Sequence, residues 1–238
     1  MSSRSSNVFL SRISDASYVR LIESSTLIDL SLGRQILTQG AQLDWVYFPE
    51  SCLISLISLD GNGESIETSM AGQEGAAGLL EACGSGQSSV DGVVQVDGKA
   101  WRASAGHCRR LAFSDMGFNA EAWKLIELQM TESRQSGLCQ ATHPVEARAA
   151  RWLLESLERS GGRNPLPLTQ DFLASMLGVQ RTTVSAVAAD LQRKGLISYA
   201  RGRVTIVDGP GLEKIACECR ESTRQQRARL NLSIPGTL

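Results

Sequence analysis

Residues 168–207, LTQDFLASMLGVQRTTVSAVAADLQRKGLISYARGRVTIV, carry a spacing that few folds accommodate. Two short apolar-periodic stretches meet at Gly178, with the small Ala174 one turn before it and Leu173, Leu177, Val179, Val184 and Val187 at inward positions. Two helices that cross steeply admit only a small side chain at their closest approach, and the tight turn between them calls for glycine. The segment therefore reads as a helix-turn-helix. In its second helix Val184, Val187, Ala188 and Leu191 follow the i, i+3, i+4, i+7 rule of a buried stripe, which turns Thr182, Ser185, Ala186, Ala189 and Arg193 outward. Leu196–Tyr199 and Arg203–Val207 then form two β-prone runs around Ala200-Arg201-Gly202, a turn with a cation at its tip.

That outer face suits a DNA major groove. Small side chains let a helix approach base edges, and Arg181 near the N-terminus reaches a guanine O6/N7 pair with both guanidinium nitrogens. Gln180, Arg181 and Thr183 sit where unpaired helix N–H groups attract phosphate. Winged helices that bind protein or RNA share the pattern, so charge has to discriminate. Residues 141–238 hold 14 Lys and Arg against 9 Asp and Glu, and residues 1–140 hold 10 against 16. The whole-chain charge of −1 thus conceals a motif-bearing part at +5 and a partner part at −6, the polarity that phosphate binding requires.

A chain of 238 residues is long enough for two domains with separate cores. The absence of an 18-residue apolar run excludes a membrane span, and MSSRSSNVFLSRIS lacks the apolar centre of a signal peptide, so a cytoplasmic address is expected. Cys52, Cys83, Cys108 and Cys139 stand singly, and Cys217-x-Cys219 has neither redox spacing nor a second half for zinc. The six thiols are expected to be reduced and structural, with no metal and no required cofactor.

Between about Gln35 and Phe113 the chain is strand-rich. Runs at 46–49, 52–59, 65–70, 93–98 and 99–104 are bounded by turn formers, with Asp60-Gly61-Asn62-Gly63 a clear hairpin connection. Such spacing predicts a sandwich or jelly-roll barrel, preceded by a helix over residues 14–31. From about Asp115 the period changes to that of a long helix in which Met116, Trp123 and Met130 recur every seven residues, with Ile126 assigned to the same stripe. Two copies can pair along this seam. A symmetric dimer then sets two recognition helices about one DNA turn, roughly 34 Å, apart.

The order of strand-rich barrel, long helix, HPVEARAARWLLESLER and winged helix resembles the Crp/Fnr family of bacterial transcription regulators, most strongly in VYFPESCLISL, AGQEGAAGLL and LTQDFLASMLGVQRTTVS. The resemblance runs from about Ile28 to Ile215. It implies an α+β chain with three parts: an N-terminal β jelly-roll barrel of cyclic-nucleotide-binding type over residues 1–114, a dimerisation helix over 115–140, and a C-terminal winged helix-turn-helix over 141–238. It also implies a homodimer on double-stranded promoter DNA, with RNA polymerase a further candidate partner. DNA contacts then fall on Thr169, Gln170, Gln180, Arg181, Thr182, Thr183 and Ser185, with Arg201 and Arg203 in the wing. Of the Arg, Glu and Arg that read the best-known operator of the family, this chain keeps only Arg181; Thr182 and Ala186 stand at the other two positions. A different half-site is expected.

Nucleotide-binding members hold the phosphate with a Gly-Glu segment and a following Arg. Gly72-Gln73-Glu74-Gly75 resembles the first part, making Gly72, Glu74 and Gly75 the effector-pocket candidates, but no arginine occurs between Arg34 and Arg102. A buried cyclic phosphate would lack its counter-charge, so ordinary nucleotide sensing is not expected. The effector is left open. An iron–sulfur cluster would need a closely spaced cysteine set, and a haem or small-molecule sensor has His107 and His143 as its only histidines. An enzyme would need a nucleophile set, a phosphate loop or a metal-ligand pair at helical spacing, and none is read here. A barrel and winged helix acting only through protein contacts is the remaining alternative.

Overall fold

Strand β4 (Leu53–Leu59) is buried along its first five residues, which a strand can be only when both of its faces are covered. In the computed structural model, which describes residues 4–235, those two faces belong to two different cores. β4 lies in an antiparallel sheet of order β2 (Gln35–Leu37), β6 (Asp91–Val96), β4, β5 (Ser65–Ala71). A second sheet has the order β1 (Ser25–Leu30), β7 (Gly98–Ser104), β3 (Trp45–Pro49). Ile54, Leu56 and Val94 of the first pack with Leu30, Val46, Phe48 and Ala103 of the second, which closes the barrel.

Short helices seal this barrel. α1 (Val8–Arg12) and α2 (Asp15–Glu23) are each started by a side chain, Asn7 and Ser14 respectively, that accepts a first-turn N–H. Phe9 of α1 stacks on Phe48 and meets Phe118 edge-on, each at 5.6 Å. α3 (Leu79–Cys83) and α4 (Ala105–Ser114) complete this part. The helix expected over residues 14–31 stops at Glu23. Residues 25–30 are instead strand β1, paired along its whole length with β7. Leu27 and Leu30 imitate helical spacing, but the β-branched Thr26 and Ile28 favour the strand and the edge of β7 decides the outcome.

α5 (Met116–Thr142) is capped by Asp115, whose carboxylate accepts from the N–H groups of Gly117 and Phe118. Phe118, Ala122, Leu125 and Leu128 join the barrel core. Met116, Trp123 and Met130 are exposed on the opposite side, whereas Ile126 is only 5 % exposed. Ile126 is therefore not on the apolar stripe with them. Three residues of helix carry it about 60° past the line of Trp123, onto the flank turned toward its own chain.

α6 (Val145–Arg159) leads into the winged part: β8 (Leu166–Pro167), α7 (Gln170–Leu177), α8 (Arg181–Arg193), β9 (Ile197–Ala200) and β10 (Arg203–Ile206). These strands form a sheet of order β8-β10-β9. α9 (Gly209–Ile215) and α10 (Cys219–Arg229) follow. The second core is not private to this part. Leu53, Ile57, Met70 and Val96 from the outer face of the barrel sheet pack with Trp152, Leu153, Leu173, Leu177 and Val204. Burial of side chains of this size stabilises by roughly 1.5–3 kcal/mol each, so the second core, distinct from that of the barrel interior, is shared between the barrel sheet and the winged part. Among the described residues no helix is long and apolar enough to cross a membrane.

Candidate nucleic-acid interface

The helix-turn-helix is built by two local devices. Thr169 caps α7 by accepting the Phe172 N–H at 3.1 Å, and Gly178 ends it at φ 58°, ψ 45°, the left-handed conformation that glycine adopts without steric cost. Gln180 starts α8 without a side-chain cap, which leaves first-turn N–H groups for an external acceptor. In the wing Arg201 and Gly202 both have positive φ, 52° and 69°, as a two-residue hairpin turn of the right twist requires. The Tyr199 hydroxyl donates to the Leu168 carbonyl at 3.0 Å and ties wing to helix. Burial, reinforced by Asp171, raises the pKa of that phenol, so it stays protonated as a donor.

Thr169, Gln170, Arg181 and Arg201 surround one open groove between α7, α8 and the wing, together with Asp171, Gln192 and Tyr199. Gln180, Thr182, Thr183, Ser185 and Arg203 do not line it. Gln180 and Thr182 are exposed beside it at the start of α8, Thr183 is half-buried, and Arg203 is exposed on β10. Ser185 is already engaged, donating to Gln170 Oε1 at 2.7 Å. Arg181 lies 3.4 Å from Asp171 with both side chains mostly exposed, an ion pair worth about 0–1 kcal/mol and readily exchanged for a base or phosphate. Asp171 escaped sequence reasoning because only the fold shows that it faces Arg181.

The net charge of this part overstates its surface. Arg148, Arg159, Arg220 and Arg227 are buried. Arg159 pairs with Glu74 at 2.9 Å and Glu132 at 2.7 Å, while Arg220 and Arg227 both reach Glu158, at 2.8 and 3.0 Å. Arg159 and Arg227 thereby set two charges of this part against Glu74 and Glu132 of the other. Arg181, Arg193, Arg201 and Arg203 are all exposed.

The effector-pocket assignment of Gly72, Glu74 and Gly75 is corrected. Glu74 is 1 % exposed, receives the Gly72 N–H at 2.9 Å, and is held by Arg159. A Cβ on Gly72 would lie 2.6 Å from the Arg159 carbonyl oxygen, and one on Gly75 would lie 2.7 Å from Leu125. This segment is packing against α5 and α6, with no room for a ligand. A cavity of about 340 Å³ lies elsewhere on the barrel, between Leu56, Gly78, Glu81 and Ser89 on one side and Gln129, Met130 and Arg134 of α5 on the other. Its one cation is Arg134 and its one carboxylate Glu81, which accepts from Ser89 Oγ at 2.6 Å.

A second arrangement has no counterpart in the sequence reading. Cys139, which stands singly in the sequence, His143, and the pair Cys217-x-Cys219 bring their ligating atoms within 4.8 Å of one another. Cys139 and His143 are in fact a pair at helical spacing, and Cys217-x-Cys219 supplies the missing second half from 78 residues away. A hydrogen bond between the Cys139 and Cys217 thiols pulls the pKa of Cys139 down and pushes that of Cys217 up. Hydrogen bonding to Cys139, then to Glu218, raises His143. His107, the other histidine, sits on α4.

Residues 147–215 match the model of the Crp-like helix-turn-helix domain. No curated protein sequence matches the chain significantly. Among solved structures, FixK2 from Bradyrhizobium japonicum superposes with a TM-score of 0.69 at 14% identity, over 81% of this chain and 98% of that one. A Crp/Fnr-family transcriptional regulator from Thermus thermophilus gives 0.65 at 23% identity, over 80% and 98%. The c-di-GMP-responsive global regulator CLP from Xanthomonas campestris gives 0.64 at 15% identity, over 81% and 99%.

Proposed function

With a Crp-like helix-turn-helix domain over residues 147–215 and the fold of the Crp/Fnr transcription regulators as premise, we propose that this chain is a homodimeric, sequence-specific DNA-binding regulator. The observation that carries the reading is the groove that Arg181 at the head of α8 and Arg201 at the wing tip line together with Gln170 and Thr169. Arg181 is the base reader, and Thr169, Gln170, Gln180, Thr182, Thr183 and Ser185 position the helix on sugar, phosphate and base edges. Arg201 and Arg203 bind phosphate from the wing.

The dimer reading is supported by α5. Met116, Ala120, Trp123, Glu127, Met130 and Arg134 are all exposed and are spaced alternately four and three residues apart, the repeat of a seam between two helices. Met116 and Trp123 are 90 % and 62 % exposed, a large apolar area for one face of a single chain. The barrel cavity offers a cyclic phosphate one arginine, from α5, and opposes it with Glu81, so cyclic nucleotides are not its ordinary ligand. Selection of bound sequences from a random duplex pool, with and without cyclic AMP, tests the whole reading. Enrichment of a two-fold symmetric site, independent of the nucleotide, is expected. Failure to enrich any duplex sequence would rule out direct DNA reading.

A further inference from the structure

We propose that Cys139, His143, Cys217 and Cys219 form a structural zinc site that fastens α10 to the end of α5. The two halves are delivered by different means. Cys139 and His143 are four residues apart at the C-terminus of α5, hence on one face, with His143 at the cap position. Cys217 and Cys219 flank the residue that opens α10. All three cysteines are buried, and Ala147 of α6 packs against them.

The dimensions fit one tetrahedral ion. Zinc held at about 2.3 Å from sulfur and about 2.0–2.1 Å from nitrogen sets its ligand atoms about 3.6–3.8 Å apart. The observed separations include 3.4 Å from Cys139 Sγ to Cys217 Sγ and 3.5 Å from Cys219 Sγ to His143 Nδ1, with none above 4.8 Å. An iron–sulfur cluster interposes several atoms between its ligands and needs a wider cage.

Groups outside the four ligands are arranged as a metal requires. His143 Nε2 lies 3.1 Å from Glu218 Oε1, which fixes the ring and leaves Nδ1 turned toward the sulfurs, the carboxylate–histidine–metal order. Gln135 Nε2 donates to Cys219 Sγ at 3.0 Å. Three thiolates and a neutral imidazole around Zn²⁺ carry a net charge of −1, and the fields of Arg148 and Arg151 act on Cys139 and Cys217. A disulfide between Cys139 and Cys217 would use two of these groups and leave the ordering of His143 and Cys219 without purpose. Four protein ligands close the coordination sphere, which assigns the ion a structural and not a catalytic part. The site lies where α5 passes, through Pro144, into α6, so the ion would fix the C-terminal helix at the start of the reading domain. It stands or falls independently of DNA recognition.

The test uses the full-length chain, reduced and stripped with a chelator, then titrated with Co²⁺ and with Zn²⁺ alone. One equivalent of Co²⁺ per chain is expected, with the visible bands of a tetrahedral thiolate site that Zn²⁺ then abolishes. Cys217→Ser and His143→Ala should each weaken zinc binding by at least about 100-fold, and Glu218→Gln by about 10–100-fold, while Cys83→Ser, on α3, binds as the parent does. The wild-type chain supplies a measurement that needs no variant: zinc should raise its Tm and a chelator should reverse the rise. Less than a tenth of an equivalent bound, cobalt bands unchanged in Cys217→Ser, or a Tm indifferent to zinc would each overturn the proposal. So would a Cys139–Cys217 disulfide in the protein as isolated.

Discussion

Replacing Arg159 with Met keeps the length of the side chain and removes the one cation that two buried carboxylates share. Arg159 is 3 % exposed, and its partners Glu74 and Glu132, at 2.9 and 2.7 Å, are 1 % and 6 % exposed. Glu132 retains Arg227 at 3.6 Å; among the described residues Glu74 retains only the Gly72 N–H. Breaking a buried pair by removing one partner costs about 3–5 kcal/mol, because the stranded charge stays desolvated. With an m-value of about 3 kcal/mol per M in urea, the midpoint should fall by about 1–1.7 M. Adding Glu74→Gln to the variant removes the stranded charge and should recover at least half of the loss. The pH dependence has a definite sign. A stranded carboxyl has a folded pKa above its unfolded value, so it takes up a proton on folding, and the deficit of Arg159→Met should shrink as pH is lowered from 7.5 toward 5. Urea titrations followed by tryptophan fluorescence read all three quantities, since Trp152 lies in the same junction. A midpoint within about 0.3 M of the parent, or a double variant no more stable than the single, would refute the reasoning.

Burial pushes the Glu67 carboxyl, which accepts from Trp152 Nε1 at 2.8 Å, up from 4.5 to about 8. The folded chain therefore holds a proton that the unfolded chain lacks across that window, and Glu67 makes stability fall as pH rises through it; Glu67→Gln should flatten the slope in urea midpoints between pH 5 and 8, and an unaltered slope would count against it. Arg181→Ala should cost about 1–3 kcal/mol on a selected site and relax discrimination at one base pair per half-site. Arg201→Ala should weaken selected and scrambled duplexes alike, with a salt slope shallower by about one; fluorescence anisotropy across a salt series separates the two outcomes. Trp123→Glu combined with Met130→Glu should sediment as a monomer and bind DNA weakly, and persistence of the dimer would place the subunit contact elsewhere.

What could be read from sequence was what is local. The α7–α8 unit declares itself through Ala174, Gly178 and the stripe Val184, Ala188, Leu191, all decided within about twenty residues. The barrel strands are also visible, because turn formers bound them. Legibility fails where partners are distant. Cys139 and Cys217 meet across 78 residues, and no spacing rule reaches that far. Glu74 looked like a ligand-binding carboxylate because nothing near it in sequence shows that Arg159 will cover it. The apolar run at 52–59 did signal a strand, but that its outer face is covered, and by what, only the fold reveals. The surplus of arginine in the C-terminal part misled in the same way, since counting charges does not distinguish those facing solvent from those facing Glu132 or Glu158.

The doubly covered strand also limits how the two halves can be recombined. Leu53, Ile57, Met70 and Val96 complete the hydrophobic interior of the winged part, Ile66 lies under the turn at Gly178, and Ser65 hydrogen-bonds Ser175. A chimera that grafts this reader onto a foreign barrel would strip Trp152 and Leu177 of their cover, and a truncated barrel would present the same four apolar side chains to water. Either product invites aggregation. Barrel and winged part are packed here as one unit: a substitution that reshapes the outer face of β4 or β5 alters the seat of α7 and α8 directly, without α5 having to move.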